Sequence, residues 1–260
     1  EEATVVTTFT RTVYLEYFKS LFVGENYKEQ KAEILNDSIL VFSIYDSLQF
    51  SVDATAPIVV KLPLSGYILK VDLLHFHLLY KEELEAYHCS ILGYYLFNPV
   101  DPGSRREQRK IARARVNNFY NSSMHFCRSL YHRQLAGNGY VFENACPPRK
   151  ESAYSKDYRF DIKAEYSTDS YGNEQLVLTH SSCNNFLITY HENARKRPVD
   201  LTYLNTERST FHYSNLSFLA DTVRILKSGR IPENTLIFGG SIGKKRIAYM
   251  LPEDYIPSMQ

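Results

Sequence analysis

Residues 66 to 80 read GYILKVDLLHFHLLY, a long run of β-branched, aromatic and leucine side chains. A second run, HCSILGYYLF, occupies residues 88 to 97, and shorter runs precede both from Glu33 onward. Turn-like residues, such as those at the Ala56–Pro57 step, separate the runs at hairpin distances. The region from Glu33 to about Pro99 is therefore predicted to form an antiparallel β-meander.

Helical patterns flank this β region. Apolar side chains recur at helical spacing before Gly24, a good C-terminal residue, so the chain is predicted to open with an amphipathic helix. A second apolar stripe runs for about 30 residues after Ser104, a candidate N-cap, and ends near Gly137 and Gly139. This stripe predicts one long central helix that packs on the sheet.

The rest of the chain returns to β patterns. The predicted fold class is therefore α+β, with antiparallel β-meanders, an N-terminal helix and one long central helix. We expect residues 1–144 to hold the helix, the first meander and the long helix, and residues 145–260 to form a second β-rich region. The two regions are expected to pack as one unit.

The composition is that of a globular protein. The chain has 260 residues, 44% hydrophobic and 23% charged, and 30 basic against 29 acidic side chains leave a net charge of +1. This balance gives no overall field that attracts nucleic acid or anionic lipid, so neither partner is predicted. No apolar run reaches the roughly 18 residues of a membrane-spanning helix. The first ten residues do not resemble a signal peptide, so any export signal is expected to have been removed or to lie outside this sequence.

The four cysteines are Cys89, Cys127, Cys146 and Cys183. They are too widely spaced for C-x-x-C redox chemistry or a zinc knuckle. Their even number permits disulfides in an oxidising compartment, with three alternative pairings. Cys127 lies on the apolar helical stripe, which predicts a buried small hydrophobic side chain.

Residues 239 to 243, GGSIG, match the G-x-S-x-G pattern of a serine hydrolase nucleophile. In that fold the acid and the histidine follow the serine along the chain, but only 19 residues follow Ser241 and none is histidine. A phosphate-binding P-loop is excluded as well, because its spacing is too short and Lys245 stands where serine or threonine should bind magnesium. The segment is interpreted as a tight glycine turn, and no catalytic or cofactor-binding residue is predicted.

Two histidine pairs have spacings that could place both side chains on one face. His75 and His77 alternate along a predicted strand, and His125 and His132 lie seven residues apart on the predicted long helix. Each pair could supply two ligands of a metal site, and a third ligand is not evident. A packed or solvated face is the favoured interpretation, so no metal site is predicted.

The start of the long helix, SRREQRKIARAR at residues 104 to 115, is strongly basic. Such a patch can hold phosphate, an anionic glycan or an acidic protein surface, or it can be a solvated helix face. The overall charge balance favours the solvated face. The candidate partner-binding residues are Arg105, Arg106, Arg109, Lys110 and Arg113, with Arg115 completing the basic set.

The segment GSIGKKRIAYMLPEDYIP at residues 240 to 257 resembles a C-terminal pattern of exported Bacteroidota proteins labelled carboxypeptidase-like regulatory-domain-containing proteins. YFKSLFVG at 17 to 24, the stretch at 33 to 76, and the basic helix leading into YNSSMHFCRSLY at 120 to 131 are similar to other parts of the family, in the same order. The chain departs from the family in lacking tryptophan and in having Ser122 where glycine is usual. The C-terminal residues that carry the resemblance include Gly240, Gly243, Arg246, Leu251, Pro252 and Tyr255.

The resemblance implies an exported domain, periplasmic or associated with the outer membrane, without established catalytic residues. It also implies that Gly240 and Gly243 form a structural turn in which Ser241 is incidental. The first hypothesis is a non-catalytic cell-envelope domain that binds or scaffolds an envelope protein or glycan. The alternative is an envelope hydrolase acting on peptide or glycan through a carboxylate or histidine site without a recognised motif.

Overall fold

The computed structural model describes residues 8–81, 86–145, 162–180, 183–192, 211–233 and 235–258. The chain divides into two compact units. The first comprises Glu1–Asn117, Arg246–Pro252 and Pro257–Gln260, and the second comprises Asn118–Lys245 and Glu253–Ile256. Each unit is described separately below.

The elements of the first unit begin with a helix, α1 (Thr8–Phe18), that continues as a wider π-helical turn over Lys19–Val23. Six strands follow: β1 (Glu33–Ile34), β2 (Leu40–Ile44), β3 (Phe50–Ala54), β4 (Ile58–Leu62), β5 (Tyr67–Lys81) and β6 (Ala86–Pro99). The next helix, α2 (Arg105–Phe119), begins in this unit. A short 3₁₀ turn at Ile247–Tyr249 also belongs to it.

The long strand β5 organises the sheet of the first unit. One of its edges pairs with β6 from Tyr67 to Lys81, and its other edge pairs with β4 and then with β3. Since β1 joins β4 and β2 joins β3, the order is β1-β4-β5-β3-β2, with β6 on the opposite side of β5. All of these pairings are antiparallel, which confirms the predicted antiparallel sheet.

Aromatic side chains form the core between α1 and this sheet. Tyr14, Phe18 and Phe22 are buried at helical spacing, and the rings of Phe18 and Phe22 stack with centroids 4.6 Å apart. Phe18 also meets Phe76 of β5 edge-on at 4.8 Å. Tyr17, which precedes Phe18 on α1, is exposed. Edge-to-face and offset contacts of this kind add to the free energy gained from burial alone.

The predicted single long helix is not what the structure shows, because the chain turns sharply near Asn121. The region forms two helices, α2 and α3 (Ser123–Tyr131). Asn121 has a left-handed backbone with φ 54°, which asparagine tolerates better than most residues. Ser122 then caps α3, since its Oγ accepts a hydrogen bond from the His125 amide at 3.1 Å. The apolar stripe continues across the break, which explains why periodicity alone predicted one helix.

The second unit contains two further antiparallel sheets. One has the order β13-β11-β10-β7 and the other has the order β12-β9-β8. Their strands are β7 (Tyr140–Asn144), β8 (Ile162–Thr168), β9 (Glu174–His180), β10 (Asn185–His191), β11 (Phe211–Phe218), β12 (Thr222–Leu226) and β13 (Leu236–Phe238). The short helix α4 (Gly240–Gly243) completes the unit. Together with the first unit, this arrangement confirms an α+β fold that is mostly β.

Side chains from both sheets and from α3 form the core of the second unit. Phe126 on α3 is fully buried, and its ring lies 5.3 Å from that of Tyr140 and 6.0 Å from that of Phe238. Cys127 next to it is also fully buried, as the sequence predicted.

None of the described helices has the length and apolar character needed to cross a membrane.

Candidate functional site

Helix α2 begins with a cap formed by Ser104 and by Glu107, the only acidic residue of the helix. Ser104 Oγ accepts a hydrogen bond from the Glu107 amide at 3.2 Å, and the Glu107 carboxylate accepts one from the Gly103 amide at 3.0 Å. This arrangement is close to a capping box, in which serine and glutamate satisfy amides at the helix start. Because the Glu107 carboxylate binds the backbone at the cap, the basic side chains farther along α2 gain no ion pair from it.

One side of α2 fixes the helix to the first unit. Ile111 is buried against Gly66, where an added Cβ would lie 2.7 Å from the Ile111 Cδ1 atom. The Arg115 guanidinium donates to the carbonyls of Ser65 at 2.8 Å and Gly66 at 3.3 Å, and it lies 4.1 Å from the centre of the Tyr67 ring. Arg115 is therefore a structural residue of this contact.

The other side of α2 presents the remaining basic residues to solvent. Four of them follow the spacing i, i+3, i+4, i+7, which places them on one helix face. These four are Arg106, Arg109, Lys110 and Arg113, and Arg105 at the start of the helix is exposed beside them. We call all five residues the basic face. No side chain of the basic face forms an ion pair or hydrogen bond with any residue in the described part of the chain. The structure thus brings together all five residues that the sequence singled out.

A cleft of about 470 Å³ lies beside α2 in the first unit. Its lining includes Val100, Pro102, Ile111 and Arg115. The Arg115 guanidinium already donates to two carbonyls, so the cleft has little unused positive charge of its own.

The GGSIG segment forms the turn that the sequence predicted in place of a nucleophile. Gly240 has φ +63°, and an added Cβ there would lie 2.6 Å from the Tyr213 carbonyl oxygen. A Cβ on Gly243 would lie 2.2 Å from the carbonyl oxygen of Phe238. Ser241 Oγ accepts a hydrogen bond from the Asn121 side-chain amide at 2.7 Å, and the described residues bring no histidine or carboxylate to it. Ser241 therefore acts here as a structural hydrogen-bond partner.

Arg128 on α3 ties three chain segments of the second unit together. Its guanidinium donates to the carbonyls of Ser228 at 2.8 Å, Tyr255 at 2.6 Å and Glu253 at 2.6 Å. It also lies 5.5 Å from the centre of the Phe119 ring. Burial lowers the pKa of Arg128, and the nearby acidic side chains oppose that shift. We call Arg128 and its three carbonyl partners the arginine clasp.

The C-terminal motif residues are divided between the two units. Gly240, Gly243 and Tyr255 belong to the second unit, whereas Arg246, Leu251 and Pro252 belong to the first. In the first unit Leu251 is buried, and the charge of Arg246 opposes the rise in pKa that burial causes at Cys89 and Tyr95. Gly240 and Gly243 therefore serve the turn in the second unit, and Leu251 serves the core of the first.

The two histidine pairs have different outcomes. The rings of His75 and His77 lie together on β5, with centroids 3.9 Å apart. His125 is buried and hydrogen-bonded to the Tyr140 hydroxyl at 2.9 Å, whereas His132 is exposed, so this pair shares no site. Among the described residues, no group of three or more histidine, cysteine or acidic side chains is placed to hold a metal ion.

His77 should make the stability of the first unit depend on pH. Burial and the neighbouring His75 lower the pKa of His77 from 6.5, against the opposing effect of Asp53. As the pH falls below 6.5, the unfolded chain therefore takes up a proton that folded His77 resists, and stability decreases. We expect the unfolding free energy of the His77→Asn variant to fall less steeply below that pH in denaturant titrations. Equal slopes for the wild type and the His77→Asn variant would refute this role of His77.

The cysteines differ in state. Cys89 and Cys127 are free, and burial raises their pKa values to about 11 and about 12 respectively, so both thiols stay protonated at neutral pH. Cys183 is disulfide-bonded. Cys146 lies outside the described residues.

The hydrogen bonds of the arginine clasp could not be predicted from the sequence pattern. Arg128 lies within the apolar stripe of residues 120 to 131, and an arginine in such a stripe gives no sign that its partners are distant carbonyls.

Comparisons with protein-family models, with curated protein sequences and with solved structures found no match to this chain.

Proposed function

We propose that this protein is a non-catalytic binding domain of the bacterial cell envelope, and that the basic face of α2 binds an acidic surface on a partner protein. The observation that carries the proposal is the exposure of five basic side chains without an intramolecular counter-charge among the described residues.

The charges of the basic face work against the helix that carries them. Each has a like-charged neighbour three or four positions away, an arrangement that destabilises a helix by about 0.2–0.5 kcal/mol per pair. Glu107 could offset part of this repulsion, but its carboxylate accepts from the Gly103 amide. An acidic partner would remove the repulsion and gain charge-assisted hydrogen bonds at the same time.

The predominance of arginine favours a carboxylate-bearing partner. Four of the five side chains of the basic face are arginine, whose planar guanidinium can bind a carboxylate through two parallel hydrogen bonds. Arginine is also enriched in protein–protein interfaces and in their energetic hot spots. Both properties support an acidic protein surface as the first partner class to test.

Two observations support placing this domain outside the cytoplasm. The disulfide at Cys183 is typical of proteins that mature in an oxidising compartment such as the bacterial periplasm. The resemblance of residues 240 to 257 to exported Bacteroidota proteins supports the same location.

Reversing one charge should separate binding from folding. In the Arg109→Glu variant the new carboxylate lies four residues before Arg113, a favourable helix pair, so the stability should stay equal or rise by a few tenths of a kcal/mol. Binding to a synthetic polyglutamate peptide at low salt should weaken by about ten- to a hundredfold, as expected when a charge-assisted contact is replaced by repulsion. Peptide titration and thermal melting measure the two effects.

The control variant is Lys227→Glu, which makes the same change in net charge at an exposed turn of the second unit. It should bind the peptide like the wild type. If both variants lose the same amount of peptide affinity, the net charge of the protein explains the loss, and that result would contradict a localised binding site. Tight binding of a sulfated glycan such as heparin, with no binding of the peptide, would show that the basic face binds an anionic glycan and not an acidic protein surface.

A further inference from the structure

Strand β6 is long, contains no aspartate, glutamate, lysine or arginine, and lies at the edge of its sheet among the described strands. It covers 14 residues, Ala86–Pro99, with the sequence AYHCSILGYYLFNP. One edge of β6 pairs with β5, and no other strand in the described ranges pairs with its second edge. A free edge exposes backbone donors and acceptors in a row, which is a template for another strand.

Proteins usually protect such edges with charges, prolines or short strands. The edge strand β8 in the second unit carries Lys163 and Glu165, and the edge strand β1 is two residues long and carries Glu33. Within β6 the only proline is the last residue, Pro99. The protection seen on those two edges is therefore missing from most of the length of β6.

The outward face of β6 is apolar and exposed next to this edge. Leu92, Tyr94 and Leu96 alternate along the strand and are 42%, 66% and 59% exposed. Tyr94 lies opposite Asp72 and Leu96 opposite Lys70 on β5, so both point to the same face of the sheet. A strand added beside β6 would cover part of these side chains while satisfying the backbone of the edge.

We propose that β6 pairs antiparallel with β6 of a second copy of this chain and joins two six-stranded sheets into one. A sheet edge binds a strand by its backbone, and a two-fold axis between the two copies of β6 would place uncharged side chains opposite uncharged side chains. No like-charge contact opposes that symmetric arrangement, and leucine and tyrosine would face each other across it.

The length of β6 is sufficient for a stable contact. Antiparallel pairing along 14 residues forms about 14 backbone hydrogen bonds, since alternate residues exchange two each. A typical protein–protein interface has about 10 direct hydrogen bonds. This contact uses neither the basic face nor an acidic partner, so it stands independently of the proposed function.

Sedimentation equilibrium of the full chain over a concentration series tests the pairing. The wild type should dimerise, and a double variant with Tyr94→Lys and Leu96→Lys should raise the dissociation constant at least tenfold. The corresponding double glutamate variant should be equally impaired, and an equimolar mixture of the two should dimerise again. Since both side chains are mostly exposed, circular dichroism should show that the variants fold.

Tyr213→Lys is the matched control. Tyr213 is 68% exposed, but its strand β11 pairs with β10 along almost its whole length. On its other edge β11 pairs with β13 at Leu216–Phe218, and Gly240 lies close to the Tyr213 carbonyl. This variant should dimerise like the wild type. A monomeric wild type, a dimer unaffected by the changes in β6, a mixture that fails to restore pairing, or an equal loss in the Tyr213→Lys control would each overturn the proposal.

Discussion

Replacing Gly243 with alanine is expected to destabilise the second unit by about 2–4 kcal/mol, because the new methyl group overlaps backbone that cannot move freely. It would lie 2.2 Å from the carbonyl oxygen of Phe238 and 2.8 Å from the carbonyl carbon. Gly240→Ala should have a similar effect, since Gly240 has φ +63° and its Cβ would lie 2.6 Å from the Tyr213 oxygen. Thermal melting should show midpoints lower by roughly 5–15 °C.

Gly137→Ala is the matched control for these two changes. A Cβ at Gly137 has no neighbour within 4 Å, and its φ is not positive. Alanine there should be neutral or stabilising by up to about 1 kcal/mol, through the reduced entropy of the unfolded chain. If all three alanine variants melt alike, the close backbone approach at the GGSIG turn does not limit stability.

The second large effect is expected at the arginine clasp. Arg128→Met keeps the length of the side chain but removes the hydrogen bonds to the carbonyls of Ser228, Glu253 and Tyr255. We expect a loss of about 2–4 kcal/mol, because hydrogen bonds from a charged donor contribute about 1.5–3 kcal/mol each and solvent can replace some of them. Arg128→Lys should recover only part of this loss, since an ammonium group cannot reproduce the guanidinium fork.

Arg133→Met provides the comparison for the clasp. Arg133 is exposed and donates one hydrogen bond, to the carbonyl of Ala164 at 3.2 Å. Its replacement should change stability by less than about 1 kcal/mol. Hydrogen exchange adds a local readout, because amides of residues 253 to 256 should exchange faster in Arg128→Met only. Unchanged exchange there, together with wild-type stability, would show that the clasp does not hold this segment.

The sheet of the first unit was predictable because its strands are long and bounded by turn residues. The run at residues 66 to 80 became β5, and the run at 88 to 97 lies within β6. Periodicity could not show that β3 and β4 share one edge of β5, because strand order depends on contacts between distant segments. The helix break at Asn121 escaped for a related reason, since the apolar stripe continues through it.

The residues of the basic face were predictable from their charge. That they form no ion pair with other described residues was not. The basic composition of residues 104 to 115 singled out Arg106, Arg109 and Arg113, but it could not show that Glu107 is held at the cap or that Arg115 binds carbonyls. The edge position of β6 among the described strands also escaped prediction, because the sequence pattern of an uncharged strand is the same at the centre and at the edge of a sheet. These distinctions depend on tertiary partners that a single sequence does not encode in its periodicity.

Site-specific photo-cross-linking in native cell envelopes tests the central claim most directly. A photoreactive residue would replace Lys110 on the basic face, and a matched one would replace the exposed Lys61 on β4 of the same unit. We predict that position 110 captures one reproducible protein with an acidic surface, that position 61 does not, and that reversing Arg106, Arg109 and Arg113 to glutamate abolishes the capture. The same products at both positions, or capture that survives the three reversals, would contradict binding through the basic face.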